Sequence, residues 1–145
     1  MKTPNAHITA DMVVIGHDPK GIPSVLLIER GTEPYVAYLA LPGGYVENDE
    51  TFQQAAVREL EEETGVTVDP EHLHQVGIYD TPDRDPRGRV VSVAYLVIVA
   101  DRPLAVGGDD AAFARWVRTD DLPALAFDHA HVMDDALTLF DQLTR

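Results

Sequence analysis

The feature that most constrains this chain is the run from Gly43 to Val66, GGYVENDETFQQAAVRELEEETGV. No other stretch is as dense in glutamate, and the spacing is not that of an ordinary charged helix. A helix is predicted to begin near Asn48 to Thr51, where Asn48 or Asp49 can cap free backbone N–H groups and Glu50 lies favourably in the first turn. Gly65, suited to the left-handed conformation beyond a helix C-terminus, marks the predicted end. On a helical wheel of about 100° per residue centred on Glu59, Phe52, Ala55, Ala56 and Glu63 fall within about 60°. Glu62 lies about 60° to the other side, and Glu61 points outward. The stripe starts apolar and ends in the carboxylates of Glu59, Glu62 and Glu63 on one inward arc.

A solvated acidic face explains this poorly. Carboxylates near a helix C-terminus oppose the macrodipole by roughly 0.3–1 kcal/mol each, and Glu59 and Glu63 repel one another at i, i+4. Arg58 alone does not balance them, whereas a divalent cation would. Oxygen ligands without cysteine suit Mg²⁺ or Mn²⁺ rather than zinc.

The stretch resembles the signature box of the Nudix hydrolases, with Gly44, Glu50, Arg58, Glu59, Leu60, Glu62, Glu63, Gly65 and Val66 at the specified positions. The resemblance implies a metal-dependent enzyme that cleaves a nucleoside diphosphate linked to another group. It also implies an α/β fold, an α/β/α sandwich with a mixed β-sheet between helices. The implied metal ligands are Glu59, Glu62, Glu63 and the Gly43 carbonyl, holding one or more Mg²⁺, with Mn²⁺ an alternative. Arg58 is expected to hold Glu50 or a neighbouring carboxylate in place around the site. Gly43 and Gly44 would let backbone approach the substrate closely. The general base is open between a box glutamate, Glu62 or Glu63, and a loop carboxylate, with Asp109 and Asp110 as candidates behind Gly107-Gly108.

With 145 residues and a 45% hydrophobic fraction, the expectation is a single domain over residues 1–145, residues 1–6 forming a loose end. A formal net charge of −14 argues against a nucleic-acid polymer as partner, because no basic patch exists to release counterions. A small nucleotide remains compatible, its charge neutralised by metal. The absence of cysteine excludes a disulfide framework. MKTPNAHITA lacks the apolar core of a signal peptide, and no apolar run approaches a membrane span. A soluble, cytoplasmic protein is expected.

Along the chain, His7–Gly16 and Ser24–Arg30 read as strands of a hairpin around the turn cluster His17 to Gly21. Tyr35 to Leu41 leads into Pro42-Gly43-Gly44. Val66–Val68 reads as a short strand, then Leu73–Tyr79, Val90–Ala100 and Ala114–Val117. The run VVSVAYLVIVA is apolar enough to sit centrally in the sheet. Asp101 to Asp110 is expected to be a loop. A last helix is predicted over Asp128–Leu143, with Asp128 as N-cap, which places two main helices on opposite faces of a mixed sheet.

The segment Asp83-Arg84-Asp85-Pro86-Arg87-Gly88, followed by VVSVAY, resembles one found in Nudix enzymes that act on ADP-ribose. Thr81 between Asp80 and Pro82, and Arg89 where histidine is common, depart from it. Arginine grips phosphate bidentately, so Arg84 and Arg87 are candidates to contact substrate or to hold the loop. Leu125 to His129 (LAFDH) is a further resemblance to the same subgroup, read as cap and core. Tyr35, Tyr38, Tyr45 and Trp116 could stack on an adenine or simply pack. The implied function is hydrolysis of ADP-ribose to AMP and ribose 5-phosphate. Other nucleotide substrates (nucleoside triphosphates, oxidised nucleotides, other sugar nucleotides) and a non-catalytic ADP-ribose sensor are the alternatives. The sensors carry an appended DNA-binding domain and often a degraded box. Here the box acids are intact, and with the last predicted helix ending within a few residues of Arg145 no such domain is expected. A homodimer and a self-sufficient chain both remain open.

Overall fold

The computed structural model describes residue 3 and residues 5–103, 105 and 111–145. Seven strands form one mixed sheet in the order β3-β2-β1-β6-β5, with β4 added to β1 and β7 to β2. The strands are β1 (His7–His17), β2 (Pro23–Arg30), β3 (Leu39–Ala40), β4 (Gly43–Tyr45), β5 (His74–Tyr79), β6 (Val90–Ile98) and β7 (Ala111–Arg118). The helices are α1 (Phe52–Thr64) and α2 (His129–Leu143), with a 3₁₀ turn at Pro70–His72.

The alternation of β1 sorts its side chains between two cores. Ala10, Met12 and Val14 pack with Ala55, Ala56 and Leu60 of α1. Val13 and Ile15 pack with Val132, Met133 and Ala136 of α2. β6 divides in the same way, Val93, Tyr95 and Val97 towards α1 and Ala94 and Leu96 towards α2. Both strands are thus covered on both faces, which is why they read as near-continuous apolar runs. The α/β/α layering expected from the sequence is present.

β1 pairs in parallel with β6 from His7↔Val90 to Ile15↔Ile98. Its other edge is shared: Thr9–Asp11 pair with β4, and Ile15–His17 with β2. The sheet therefore forks along β1, and the cleft described below opens at that fork.

Two local expectations are corrected, the start of α1 and the short strand at Val66–Val68. The N-cap of α1 is Thr51 rather than Asn48 or Asp49: its side chain accepts from the Gln54 N–H while the Gln54 side chain accepts from the Thr51 N–H. Glu50 consequently precedes the helix, and Phe52 at its first position is 39% exposed. Within the segment leading to Pro42, only Leu39–Ala40 is a strand, and Tyr35 and Ala37 before it adopt positive φ values of 60° and 68°. Val66–Val68 has no strand partner, and the chain passes instead into the 3₁₀ turn. Among the described residues no helix is long and apolar enough to cross a membrane.

Candidate active site

α1 ends with Gly65 at φ 76°, its N–H bonded to the Glu61 carbonyl, so the helix presents its last turn to β4. Glu63, 8% exposed, accepts the Gly43 N–H at 2.7 Å. Glu59 stands against Gly44 so closely that a Cβ there would lie 2.5–2.6 Å from the Glu59 carboxylate atoms. The pair of glycines therefore makes a cradle into which these two acids fit. Glu62 is more exposed and reaches the Arg58 guanidinium at 3.1 Å.

Arg58 ties the acids together. Its Nε and Nη2 donate to Glu50 at 3.0 and 2.6 Å, Nη1 donates to Glu59 at 2.8 Å, and Nη2 also donates to the Tyr45 carbonyl at 3.0 Å. The hydrogen bond from Arg58 is the main cause that holds the Glu50 carboxyl below its usual range. The same hydrogen bonds to Glu50 and Glu59 push the guanidinium pKa up against the opposing effect of burial.

Opposite this acid wall lies the loop between β5 and β6. Arg84, with 5% side-chain exposure, donates from Nε and Nη2 to the two oxygens of Asp128 at 2.9 and 2.7 Å. Arg87 grips Asp85 in the same bidentate manner, at 3.0 and 2.7 Å. Burial works to raise the Asp85 and Asp128 carboxyls, but their arginine partners outweigh it and hold both low. Arg84 and Arg87, the candidates to contact substrate or to hold the loop, are each bound to an aspartate. Asp128 occupies the N-cap position of α2 without making a side-chain cap. These walls enclose a cleft of about 720 Å³ whose lining includes Glu59, Glu62, Glu63, Arg84, Arg87 and Phe127.

Residues 6–138 match the NUDIX domain family. The chain belongs to that family. It is 44% identical over 111 residues to an ADP-ribose pyrophosphatase of Methanocaldococcus jannaschii, an alignment spanning 77% of this chain and 64% of the relative. It is 33% identical to the ADPR responsive transcriptional repressor NtrR of Acinetobacter baylyi, over 98% of this chain and 57% of that protein. The chain thus spans less than two thirds of the length of these two relatives. The NUDIX domain of Shewanella oneidensis NrtR, solved in complex with ADP ribose, superposes with a TM-score of 0.83 at 26% identity, covering 97% of this chain and 90% of that one.

Nudix proteins generally use divalent cations, and the donor set here is chemically suited to one. Every group on the acid wall is an oxygen donor. The carboxylates line the wall without converging: among the described residues no group of three or more His, Asp or Glu closes on one point.

Among the charged residues lining this Nudix cleft, Asp11, Arg30 and Glu47 escaped the sequence reading, and His129 was read there only as cap and core. Asp11 is 6% exposed, its Oδ2 bonded to the Ser92 hydroxyl and 3.8 Å from His129 Nε2. His129 accepts the Leu41 N–H at Nδ1, 3.0 Å, which fixes the proton of the neutral ring on Nε2. Burial lowers the His129 pKa and keeps the ring neutral. The available signal for Asp11 was a lone carboxylate inside an apolar strand, since Asp is almost never buried without a partner. Arg30 lies over the Phe127 ring at 5.0 Å, and Arg87 lies over it at 5.5 Å and over Tyr45 at 6.0 Å. Of the aromatics singled out above, Tyr45 lines the cleft. Tyr35 packs on Tyr38 and Phe127, and Trp116 donates to the Pro103 carbonyl. Asp109 and Asp110, the loop candidates for general base, lie outside the described residues.

Proposed function

We propose that this Nudix chain is a divalent-cation-dependent pyrophosphohydrolase that converts ADP-ribose to AMP and ribose 5-phosphate, using Mg²⁺ or, alternatively, Mn²⁺. The observation that carries the reading is that one cleft brings the box carboxylates and the Asp83–Gly88 loop face to face. The 44% identity to an ADP-ribose pyrophosphatase supports it.

Glu59, Glu62, Glu63 and the Gly43 carbonyl would hold the cation. A bound cation supplies charge neutralisation of the pyrophosphate and Lewis-acid activation of water. The chain's own groups do the positioning. Arg58 keeps Glu50, Glu59 and Glu62 from springing apart, and the Gly43 N–H fixes Glu63. Asp128 fixes one edge of the Arg84 guanidinium, which leaves Nη1 to meet a phosphate oxygen. Arg87 and the close backbone at Gly44 complete the substrate wall. Glu62, the most exposed of the box ligands at 44%, is suited to accept a proton from the attacking water, and Asp110 is the alternative base.

The sensor reading is favoured by a different observation, the likeness along 98% of the chain to a transcriptional repressor. Hydrolysis across ADP-ribose, ADP-glucose, diadenosine polyphosphates and ordinary and oxidised dNTPs, with Mg²⁺ or Mn²⁺, separates the two. Preference for ADP-ribose with AMP as product is expected, and Glu63→Gln should lower kcat at least about 100-fold in a folded protein. Wild-type turnover by that variant would sink the assignment of Glu63. Tight ADP-ribose binding without turnover of any substrate would establish the sensor instead, and preference for a triphosphate would discard the argument from the loop.

A further inference from the structure

Asp11 is the one buried acid of the cleft that neither the box nor the arginine pairs absorb. It projects from β1 on the α2 face and stands opposite Gly43 in the β1–β4 ladder. Oδ2 is engaged by Ser92 and faces the Nε2–H of His129. Oδ1 meets no donor among the described residues and is not sealed off, because Asp11 lines the cleft. Gly43 keeps it open: a Cβ there would lie 2.2 Å from Oδ1.

A carboxylate oxygen accepts hydrogen bonds and donates none. A ligand that covers this oxygen without giving it a donor would leave a buried acceptor unmatched, at a cost of about 1–3 kcal/mol, so the ligand part that belongs here brings a donor. A phosphate oxygen would set anion against anion and is rejected. Sugar hydroxyls are the donors that a nucleotide linked to a pentose carries in pairs. Resting on the nucleotide reading of the cleft, we propose that Asp11 accepts a hydrogen bond from a sugar hydroxyl of the ligand through Oδ1, with Ser92 and His129 holding the carboxylate for it. Asp11 is then a specificity-determining residue. It orients the ligand with sugar at the β1 end and diphosphate between the box acids and Arg84.

The test compares wild type, Asp11→Asn and Ser92→Ala with three ligands. These are ADP-ribose, an ADP alkyl ester lacking the terminal sugar, and ADP-ribose built on 2′,3′-dideoxyadenosine. KM is read with Mg²⁺, and equilibrium Kd is read without divalent cation. Asp11→Asn is expected to weaken ADP-ribose about tenfold or more while leaving one analogue unaffected, and that analogue identifies which pentose is read. Ser92→Ala keeps the carboxylate but frees its orientation, and should give a smaller shift with the same selectivity. Equal weakening of all three ligands overturns the proposal, as does a parallel loss of Mn²⁺ affinity measured without nucleotide, which would make Asp11 a metal ligand. Should Asp11→Asn not fold, Ser92→Ala decides, and absence of selectivity there is equally fatal. An inactive wild type that retains the binding selectivity would remove the hydrolase reading and leave this one standing.

Discussion

Gly43 and Gly44 are neighbours that exclude a side chain for different reasons. A Cβ on Gly43 would lie 2.5 Å from the Ala10 carbonyl oxygen and 2.9 Å from the Asp11 Cα, both fixed backbone of β1. The three atoms nearest a Cβ on Gly44 all belong to the end of the Glu59 side chain, at 2.5–2.6 Å, and that can swing away. Gly43→Ala is therefore expected to destabilise the fold by about 1–3 kcal/mol in denaturant titrations, as overpacking does. Gly44→Ala should unfold at nearly the wild-type midpoint yet lose most turnover, because Glu59 is displaced from the acid wall. Full activity in Gly44→Ala would remove Glu59 from the residues proposed to hold the cation. The box acids were legible because their roles follow from spacing along one helix. Asp11 was not, since its partners Ser92 and His129 reach it from β6 and α2.

The two helices begin by different physics. α1 is started locally, by the reciprocal Thr51–Gln54 capping box. α2 is started by the tertiary pair of Asp128 with Arg84, which takes the carboxylate away from the helix end. Thr51→Ala should cost about 1 kcal/mol, a typical cap. Asp128→Asn should cost more, about 2–3 kcal/mol, because it leaves the guanidinium of a nearly buried arginine without its counter-charge. Equal losses in thermal and denaturant unfolding would show that Asp128 acts as an ordinary cap. Local capping can be read from a short window of sequence. A carboxylate's choice between its own helix and an arginine on another loop cannot.

For the whole molecule, His129 couples stability to pH. The ring is buried, and desolvation lowers its pKa despite the raising influence of Asp11 and Asp128, while Arg84 and Arg30 lower it further. The unfolded chain therefore binds a proton near the ordinary histidine value of about 6.5, where the folded chain does not. The sign follows: this contribution is complete above about pH 6.5 and is lost as pH falls below it towards the folded value. Unfolding free energy is expected to fall as pH drops below about 6.5, with this ring contributing a slope of at most ~1.4 kcal/mol per pH unit. His129→Asn, which retains an acceptor near the Leu41 N–H, should flatten that segment in pH-dependent melting. An unchanged slope would assign the proton uptake to another group.

Strand order of apolarity, the Gly65 stop and the spacing of Glu59, Glu62 and Glu63 come from periodicities of about 2 and 3.6 residues that any short window carries. The chain's membership of an α/β/α class was legible for the same reason. The forked edge of β1, the pairing of Arg84 with Asp128 and of Arg87 with Asp85, and the open oxygen of Asp11 came from the folded chain alone. Each depends on which distant groups burial brings within hydrogen-bonding distance. There the choice of partner is set by desolvation and competing acceptors, quantities that have no period along a sequence.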